Sequence, residues 1–245
     1  MRNLVGVWFA FGADAACLIE SVASFRAACP GAPVAIFDED RLPLPEPVVA
    51  RIDPALYQRT TWPRLGNLNG WPAVRGILQS CHEAARMTGA TGTLKIDSDT
   101  LVLSARWIRQ DAAVTGWDCG WLRYAAGMAR FLRADVPDRL LRGLDRRPLL
   151  NHPVAEDLAI SAEASYEFPG QVILHSRQPE RPNGFRLAGW SYRLQAEGKF
   201  GLTHPAELHD VVTFGNRAQI PGARAAARSV VAAAMARFRA DLQAS

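Results

Sequence analysis

Cysteine is scarce in this sequence of 245 residues, and no apolar run approaches the length of a membrane-spanning helix. The four cysteines form no Cys-x-x-Cys pair, and no histidine stands at zinc-finger spacing from them. This scarcity argues against a disulfide framework and against a structural zinc site, and a cytoplasmic, reducing location is expected. The apolar run at the start ends at Asp14 and is typical of a buried strand rather than of a signal peptide.

The formal net charge of +4 is distributed unevenly along the chain. Five arginines stand against the single acid Asp241 in residues 217–245, and the rest of the chain is balanced. Apolar residues recur at helical spacing in this tail, which predicts a basic amphipathic helix. Packing on the domain is its expected role, and docking on an anionic membrane surface is the alternative. Nucleic acid is not an expected partner, because the remaining chain lacks a basic face with exposed aromatic residues.

Apolar strands alternate with helices in the first part of the chain. Residues 4–11 form a continuous apolar run, residues 15–28 carry apolar residues at helical intervals, and residues 34–37 form the next apolar run. Strands that are apolar on both faces and joined by helices predict an α/β fold with a mostly parallel central sheet flanked by helices. Ligands bind to such sheets at the carboxyl ends of the strands.

The rest of the sequence pattern predicts one domain over residues 1–216. Its first half covers residues 1–103 and its second half covers residues 104–216. The proline-rich segment 42–47 is typical of an extended connection. Further elements are predicted as helices at 72–87, 140–144 and 156–166 and as strands at 93–96, 117–122, 172–174, 200–203 and 211–214.

The segment "LKIDSDTLVL" places Asp97 and Asp99 one residue apart directly after an apolar run. Neighbouring carboxylates repel each other, so the pair needs either full solvation or a cation between its members. Mg²⁺ and Mn²⁺ favour carboxylate oxygens together with the oxygens of a bound phosphate. The sequence therefore leaves two interpretations open, a divalent metal site and a polar turn between strands.

The order of several short motifs resembles that of a known enzyme family. A strand, a helix and a strand ending in Asp38 precede "NGWPAVRGIL", then "KIDSDT", and finally "AEDLAIS". Together they resemble the GT-A glycosyltransferases, particularly those of family 2, and "DTLVL" is also similar to the glycogenin-like retaining enzymes of the same fold. The segment "FDED" departs from the usual Asp-Asp-Gly-Ser. No Gln-x-x-Arg-Trp segment is found near the C-terminus, so a processive synthase is not expected.

This resemblance implies a nucleotide-sugar donor, either a UDP- or a GDP-sugar, and a divalent ion, either Mn²⁺ or Mg²⁺. Asp99 would bind the metal directly, and Asp97 would reach the ribose or a metal-bound water. Asp38 would accept a hydrogen bond from the base. The resemblance implies a set of nucleotide-binding residues, to which the end of the first strand contributes two. The set consists of Ala10, Phe11, Asp38, Gly70, Arg75, Asp97 and Ser98. A surface arginine on a helix is the alternative for Arg75.

The pair Glu156-Asp157 matches the acids that open the catalytic helix of the family. By resemblance, Asp157 is the base that deprotonates the acceptor hydroxyl, and Glu156 orients it or binds acceptor hydroxyls. Two acids placed to suit the helix dipole are the alternative. Many enzymes of this fold complete the metal shell with a late histidine, and His209 is chosen here over His175 and His204.

The reaction expected from the resemblance is transfer of a sugar to a hydroxyl of a saccharide, glycolipid or small molecule, with inversion. A retaining transferase of the same fold is an alternative, as is a phosphatase of the haloacid dehalogenase type, whose Asp-x-Asp motif "IDSDT" partly matches. A binding protein without activity is the third possibility. The peripheral membrane contact of the C-terminal helix would place the enzyme on the inner membrane face.

Overall fold

The apolar run at the start of the chain forms a strand in which every residue is buried. The structure is a computed structural model and describes residues 3–61, 70–118, 125, 129–146, 156–175, 187–188 and 210–213. The strands are β1 (Leu4–Ala10), β2 (Val34–Glu39), β3 (Leu56–Thr60), β4 (Gly92–Ile96), β5 (Thr100–Val102), β6 (Val114–Trp117), β7 (Ala129–Arg133), β8 (Val172–His175), β9 (Leu187–Ala188) and β10 (Val211–Thr213). The helices are α1 (Ala15–Ala28), α2 (Glu46–Ile52), α3 (Gly70–Thr88), α4 (Val136–Arg146) and α5 (Glu156–Glu167), with a 3₁₀ turn at Gly12–Asp14.

Seven strands form the central sheet in the order β3-β2-β1-β4-β7-β6-β8. β1 is parallel to β2 and β4, and β2 is parallel to β3. β7 is antiparallel to both of its neighbours, and β8 is parallel to β6. The carboxyl ends of β1, β2, β3, β4, β6 and β8 therefore lie at one edge of the sheet, which we call the carboxyl edge. A smaller sheet has the order β5-β10-β9.

Alternating side chains of the central strands point into two apolar layers, one on each face of the sheet. On one face, Trp8 of β1 packs edge-on against Phe25 of α1, with ring centroids 5.3 Å apart. On the other face, Val7 and Leu132 belong to a cluster that includes residues of α3, α4 and α5. A Cβ atom on Gly6 would come within 2.6 Å of the Trp8 ring, so the close packing of α1 requires glycine there.

The predicted α/β fold with a mostly parallel sheet is confirmed. Helix α1 has the predicted bounds, and helices α3, α4 and α5 and strands β1, β2, β4, β8 and β10 lie where they were predicted, to within a few residues. Strand β6 overlaps the predicted strand at 117–122 only at Trp117, and residues 119–122 lie outside the described residues. Strands β3, β5, β7 and β9 were not predicted as separate elements.

The prediction of an extended connection over 42–47 was wrong in part, because α2 begins at Glu46. Pro47 lies in the first turn of this helix, where the missing N–H has no helical acceptor to lose. The strand at 200–203 and the helix at 217–245 lie outside the described residues. Within the described part of the chain, no helix is both long and apolar enough to cross a membrane.

Candidate active site

The turn between β4 and β5 presents Asp97, Ser98 and Asp99 at the carboxyl edge of the sheet. The Thr100 N–H donates to the Asp97 carbonyl oxygen at 3.0 Å and closes the turn. Ser98 is buried, and the two aspartates are partly buried. The segment is therefore a tight turn, and it also holds two carboxylates where sheets of this kind bind ligands.

Two serines of α1 hold this turn in place. The Ser21 hydroxyl donates to the Thr100 carbonyl oxygen at 2.6 Å and accepts the indole N–H of Trp8 at 2.9 Å. Ser24 Oγ accepts the backbone N–H of Val102 at 3.0 Å. All these groups are buried, so leaving one of them unpaired would be unfavourable. The buried face of α1 thus fixes the backbone that follows Asp99.

A third acid, Asp14, lies at this turn although it is distant in sequence. The Ser98 hydroxyl donates to Oδ2 of Asp14 at 2.8 Å. Burial, the charge of Asp97 and the charge of Asp14 raise the pKa of Asp99 to about 7. Sequence reasoning identified Asp14 only as the end of an apolar run. Its position in the 3₁₀ turn shortly after β1, at the carboxyl edge, was the signal that could have identified it.

Lys95 is the cation nearest to the acid pair. Its Nζ lies 2.5 Å from Oδ1 of Asp97 and 3.4 Å from Oε1 of Glu156. Lys95 precedes Asp97 by two residues, so both side chains leave the strand on the same face. This face is covered by α5, whose first residue is Glu156. The contacts of Lys95 therefore bring the two predicted acid motifs together, although they are separated by about sixty residues in sequence.

Glu156 and Asp157 open α5 and have different environments. Glu156 accepts a hydrogen bond from Nη2 of Arg130 at 3.0 Å, and Arg130 is fully buried. Burial alone would raise the pKa of Glu156, but the charges of Lys95 and Arg130 outweigh it and lower that pKa. For Asp157, burial and the charge of Glu156 raise the pKa. Oδ1 of Asp157 accepts the N–H of Leu158 at 2.9 Å.

Asp38 lies near the end of β2, opposite Ala10 of β1, and is fully buried. Its Oδ2 accepts hydrogen bonds from the Tyr57 hydroxyl at 2.5 Å and from the Leu44 N–H at 2.9 Å. Its Oδ1 is buried and has no hydrogen-bond partner in the described part of the chain. Buried carboxylate oxygens are nearly always paired. The base-binding role of Asp38 stays a prediction.

The other predicted nucleotide-binding residues are placed as follows. Ala10 is the last residue of β1, and Phe11 follows it as a partly buried residue at the carboxyl edge. Gly70 begins α3. Arg75, on the same helix, forms an ion pair with Asp145 of α4 on the protein surface. The nucleotide-binding role of each of these residues stays a prediction.

Of the three late histidines, only His175 lies among the described residues. His204 and His209 lie outside the described residues, so the metal-binding role of His209 stays a prediction. His175 ends β8 and lies against Trp107 and Trp117, and its Nε2 is 2.7 Å from the Trp107 carbonyl oxygen. Burial lowers the pKa of His175. One ring nitrogen of His175 is therefore occupied by a backbone contact.

The acids of the turn fit a hard divalent ion by the chemistry of their donor atoms. Carboxylate oxygens are the ligands that Mg²⁺ and Mn²⁺ prefer, and a cation at Asp99 would offset the burial and the repulsion that together raise its pKa. Among the described residues, no three His, Cys, Asp or Glu side chains are grouped so that they could hold a metal. A magnesium-type site commonly uses only one or two carboxylates and takes its remaining ligands from phosphate and water.

No protein-family model matches the chain, and no curated protein matches its sequence. Solved structures of glycosyltransferases do match. One of them is the galactosyltransferase LgtC in complex with donor and acceptor sugar analogues, which is 13% identical to this chain. The two structures superpose with a TM-score of 0.51, and the match covers 94% of this chain and 95% of that one. An active-site mutant of LgtC gives a TM-score of 0.52 at 12% identity, with the same coverage.

Two further structures agree with this result. The glycosyltransferase GlyE of Streptococcus pneumoniae TIGR4 is 11% identical with a TM-score of 0.54, and 98% of this chain covers 64% of that one. A glycosyltransferase that acts in glycosylation of the major capsid of PBCV-1 is 11% identical with a TM-score of 0.52, over 94% and 98% of the two chains. At such low identity the likeness shows the fold alone. The chain has the GT-A glycosyltransferase fold.

Proposed function

We propose that this protein is a metal-dependent glycosyltransferase that moves a sugar from a nucleotide-diphosphate donor to an acceptor hydroxyl. The observation that carries the proposal is the bridge formed by Lys95, whose ammonium contacts both Asp97 and Glu156. The bridge brings a turn suited to a metal-bound diphosphate next to a helix start that carries a second carboxylate. Metal-dependent sugar transfer with inversion needs both groups at one site.

The donor would lie along the carboxyl edge of the sheet. Oδ1 of Asp38 is a buried acceptor without a partner in the described chain, which supports recognition of an N–H group on the base. Both uracil and guanine carry such an N–H, so a UDP- or a GDP-sugar fits this feature. Asp99, with Asp97 beside it, would hold the divalent ion. Bound there, the ion would stabilise the negative charge that develops on the departing diphosphate.

Asp157 would act as the base. As the acceptor oxygen attacks the anomeric carbon, its proton passes to the Asp157 carboxylate while the bond from that carbon to the diphosphate breaks. Burial and Glu156 raise the pKa of Asp157, which makes its carboxylate a stronger base in the ionised form. Both oxygens of Glu156 contact cations, which supports an orienting role for Glu156 rather than nucleophilic attack. This division of roles favours inversion.

Incubation with a panel of UDP- and GDP-sugars, Mn²⁺ and simple saccharide or lipid-linked acceptors tests the proposal. Release of nucleoside diphosphate together with a glycosylated product, identified by mass spectrometry, is the expected result. Proton NMR of the first-formed product reads its anomeric configuration, and a configuration opposite to that of the donor is expected. Release of inorganic phosphate from simple esters, without any reaction of nucleotide sugars, would instead favour a phosphatase.

A further inference from the structure

Two buried cations face each other in the middle of the central sheet. Lys95 of β4 and Arg130 of β7 are directly opposite in the antiparallel register. Lys95 is 5% exposed and Arg130 is 0% exposed. Like charges directly opposite each other destabilise a strand pair, and burial of a charge is unfavourable in itself. Packing alone would be better served by apolar residues, such as Leu132 on the same face of β7.

Glu156 neutralises both cations. Its Oε1 lies 3.4 Å from Nζ of Lys95, and its Oε2 lies 3.0 Å from Nη2 of Arg130. Lys95 makes a second and shorter contact, with Asp97. The four side chains therefore form one continuous ion-pair chain, in which two positive charges balance two negative charges. This chain joins β4, β7 and the first residue of α5.

Only part of the hydrogen-bonding capacity of the Arg130 guanidinium is satisfied. Its Nε and Nη1 are buried and have no hydrogen-bond partner in the described part of the protein. A buried ion pair with unpaired donors contributes less to stability than well-packed apolar residues of similar size. The arrangement therefore calls for an explanation other than stability.

The ion-pair chain spans the two acid motifs of the proposed site. One end is Asp97, beside the proposed metal ligand Asp99. The other end fixes Glu156, and the next residue along α5 is the proposed base, Asp157. Ser161 adds a second tie to this end of α5, since its hydroxyl donates to the Asp157 carbonyl oxygen at 2.7 Å and accepts the Ala125 N–H at 2.9 Å.

We propose that Lys95 and Arg130 are positioning residues, which hold the start of α5 at a fixed distance from the Asp97–Asp99 turn and so place Asp157 opposite the leaving group. The inference rests on the proposed function, since it assigns a catalytic role to Asp157. It goes beyond that function because neither cation is needed to bind the donor or to take the proton. Arg130 holds the start of α5 through its contact with Glu156, and its charge also acts on Asp157.

The first test is kinetic and uses Arg130→Met, with Arg130→Lys as the charge-retaining variant. A displacement of the base by about an ångström can reduce turnover about 100-fold, so kcat of Arg130→Met is expected to fall by about that factor. The KM of the donor is expected to change little, because Arg130 does not contact the turn. Arg130→Lys is expected to recover part of the lost kcat. Arg133→Met on the same strand is the control, because Arg133 pairs with Asp135 at the opposite edge.

The second test is the titration of Asp157 by carboxyl carbon NMR, without any substrate. Asp157 is faced by Glu156 on its own helix, Arg130 on β7 and Lys95 on β4, and the two cations lower its pKa. Removal of Arg130 is expected to raise the pKa of Asp157, and the acid limb of the kcat profile should shift upward with it. If Arg130→Met does not fold, Arg130→Gln, which keeps a donor and loses the charge, takes its place in both tests.

The outcomes separate the two proposals. Unchanged kcat and an unchanged Asp157 titration in a folded Arg130 variant would overturn the positioning role, even if the wild-type protein transfers sugar. Equal loss of kcat in Arg130→Met and in the Arg133→Met control would overturn it as well. If the wild-type protein transfers no sugar, the proposed function fails, and the titration still reports whether Arg130 acts on Asp157.

Discussion

The hydroxyl of Tyr57 donates a 2.5 Å hydrogen bond to Oδ2 of Asp38, and Oδ1 of the same carboxylate has no partner in the described residues. One oxygen is thus held by the protein, and the proposed function assigns the other to an N–H of the nucleotide base. Hydrogen bonds to a charged group contribute about 1.5–3 kcal/mol, which corresponds to about a 10- to 100-fold change in affinity.

Asp38→Asn is therefore expected to weaken binding of UDP or GDP by about 10- to 100-fold, because an amide accepts a hydrogen bond less strongly than a carboxylate does. Isothermal titration calorimetry in the presence of Mn²⁺ measures the change. Tyr57→Phe is the matched control, since it leaves Oδ1 in place and should change the affinity less. Equal losses in the two variants would argue against direct contact between Asp38 and the base.

Asp99→Asn is expected to remove a pH dependence from the stability of the metal-free protein. The pKa of Asp99 in the folded protein is about 7, above its ordinary value of 3.8, so the folded state holds the proton more tightly than the unfolded state does. Stability from this group is therefore greatest at low pH and is lost as the pH rises from about 4 to about 7.

Thermal unfolding in EDTA between pH 4 and pH 7 checks this expectation. The melting temperature of Asp99→Asn should fall less steeply with pH than that of the wild type and should exceed it at pH 7. Asp111→Asn is a suitable control because Asp111 is exposed and pairs with Arg109 at the opposite edge of the sheet. Parallel curves for wild type and Asp99→Asn would show that Asp99 titrates normally.

Asp157→Asn is expected to keep donor affinity and to lose turnover. General-base catalysis contributes typically about 100- to 10,000-fold, and kcat should fall within that range. The amide oxygen can still accept the Leu158 N–H, so the start of α5 should be preserved. Product formation is measured by coupled release of nucleoside diphosphate, and affinity is measured by calorimetry. Retention of full turnover would exclude Asp157 as the base.

Ser21→Ala is expected to lower the free energy of unfolding by about 1–3 kcal/mol, because it leaves the Trp8 N–H and the Thr100 carbonyl oxygen without their shared partner. Urea unfolding measures the loss. Ser165→Ala on the exposed side of α5 should change stability by less than about 0.5 kcal/mol. Metal-dependent nucleotide binding should weaken only in the Ser21 variant, since only that serine supports the acid-bearing turn.

Local patterns were sufficient to predict much of the fold. The apolar spacing in residues 15–28 is determined by the face that α1 packs on the sheet, so the helix could be predicted from the sequence alone. The short helix α2 could not, because its prolines are equally compatible with an extended segment. The alternation of β7 was hidden because the charged residue Arg130 lies among its buried positions.

Short sequence motifs named the acids that the structure places around Lys95 and the β4–β5 turn, namely Asp97, Asp99, Glu156 and Asp157. Their roles stay predictions. Asp14 was missed because its relation to Ser98 depends on contact across 84 residues of sequence. Lys95 and Arg130 were missed because a cation within a strand is usually exposed, and only the opposing Glu156 makes their burial acceptable.

The antiparallel direction of β7 has a consequence for how an enzyme of the proposed function could diversify. Every neighbouring parallel strand leaves the sheet at the carboxyl edge, whereas β7 enters it there and leaves at the far side. The end of β6 and the start of β7 therefore both lie at the carboxyl edge, and Asp38 of β2 lies three strands away from β7 in the sheet. Under the proposed function, changes in the length or composition of the segment that joins these two ends could alter which alcohol is glycosylated without changing how Asp38 meets the base.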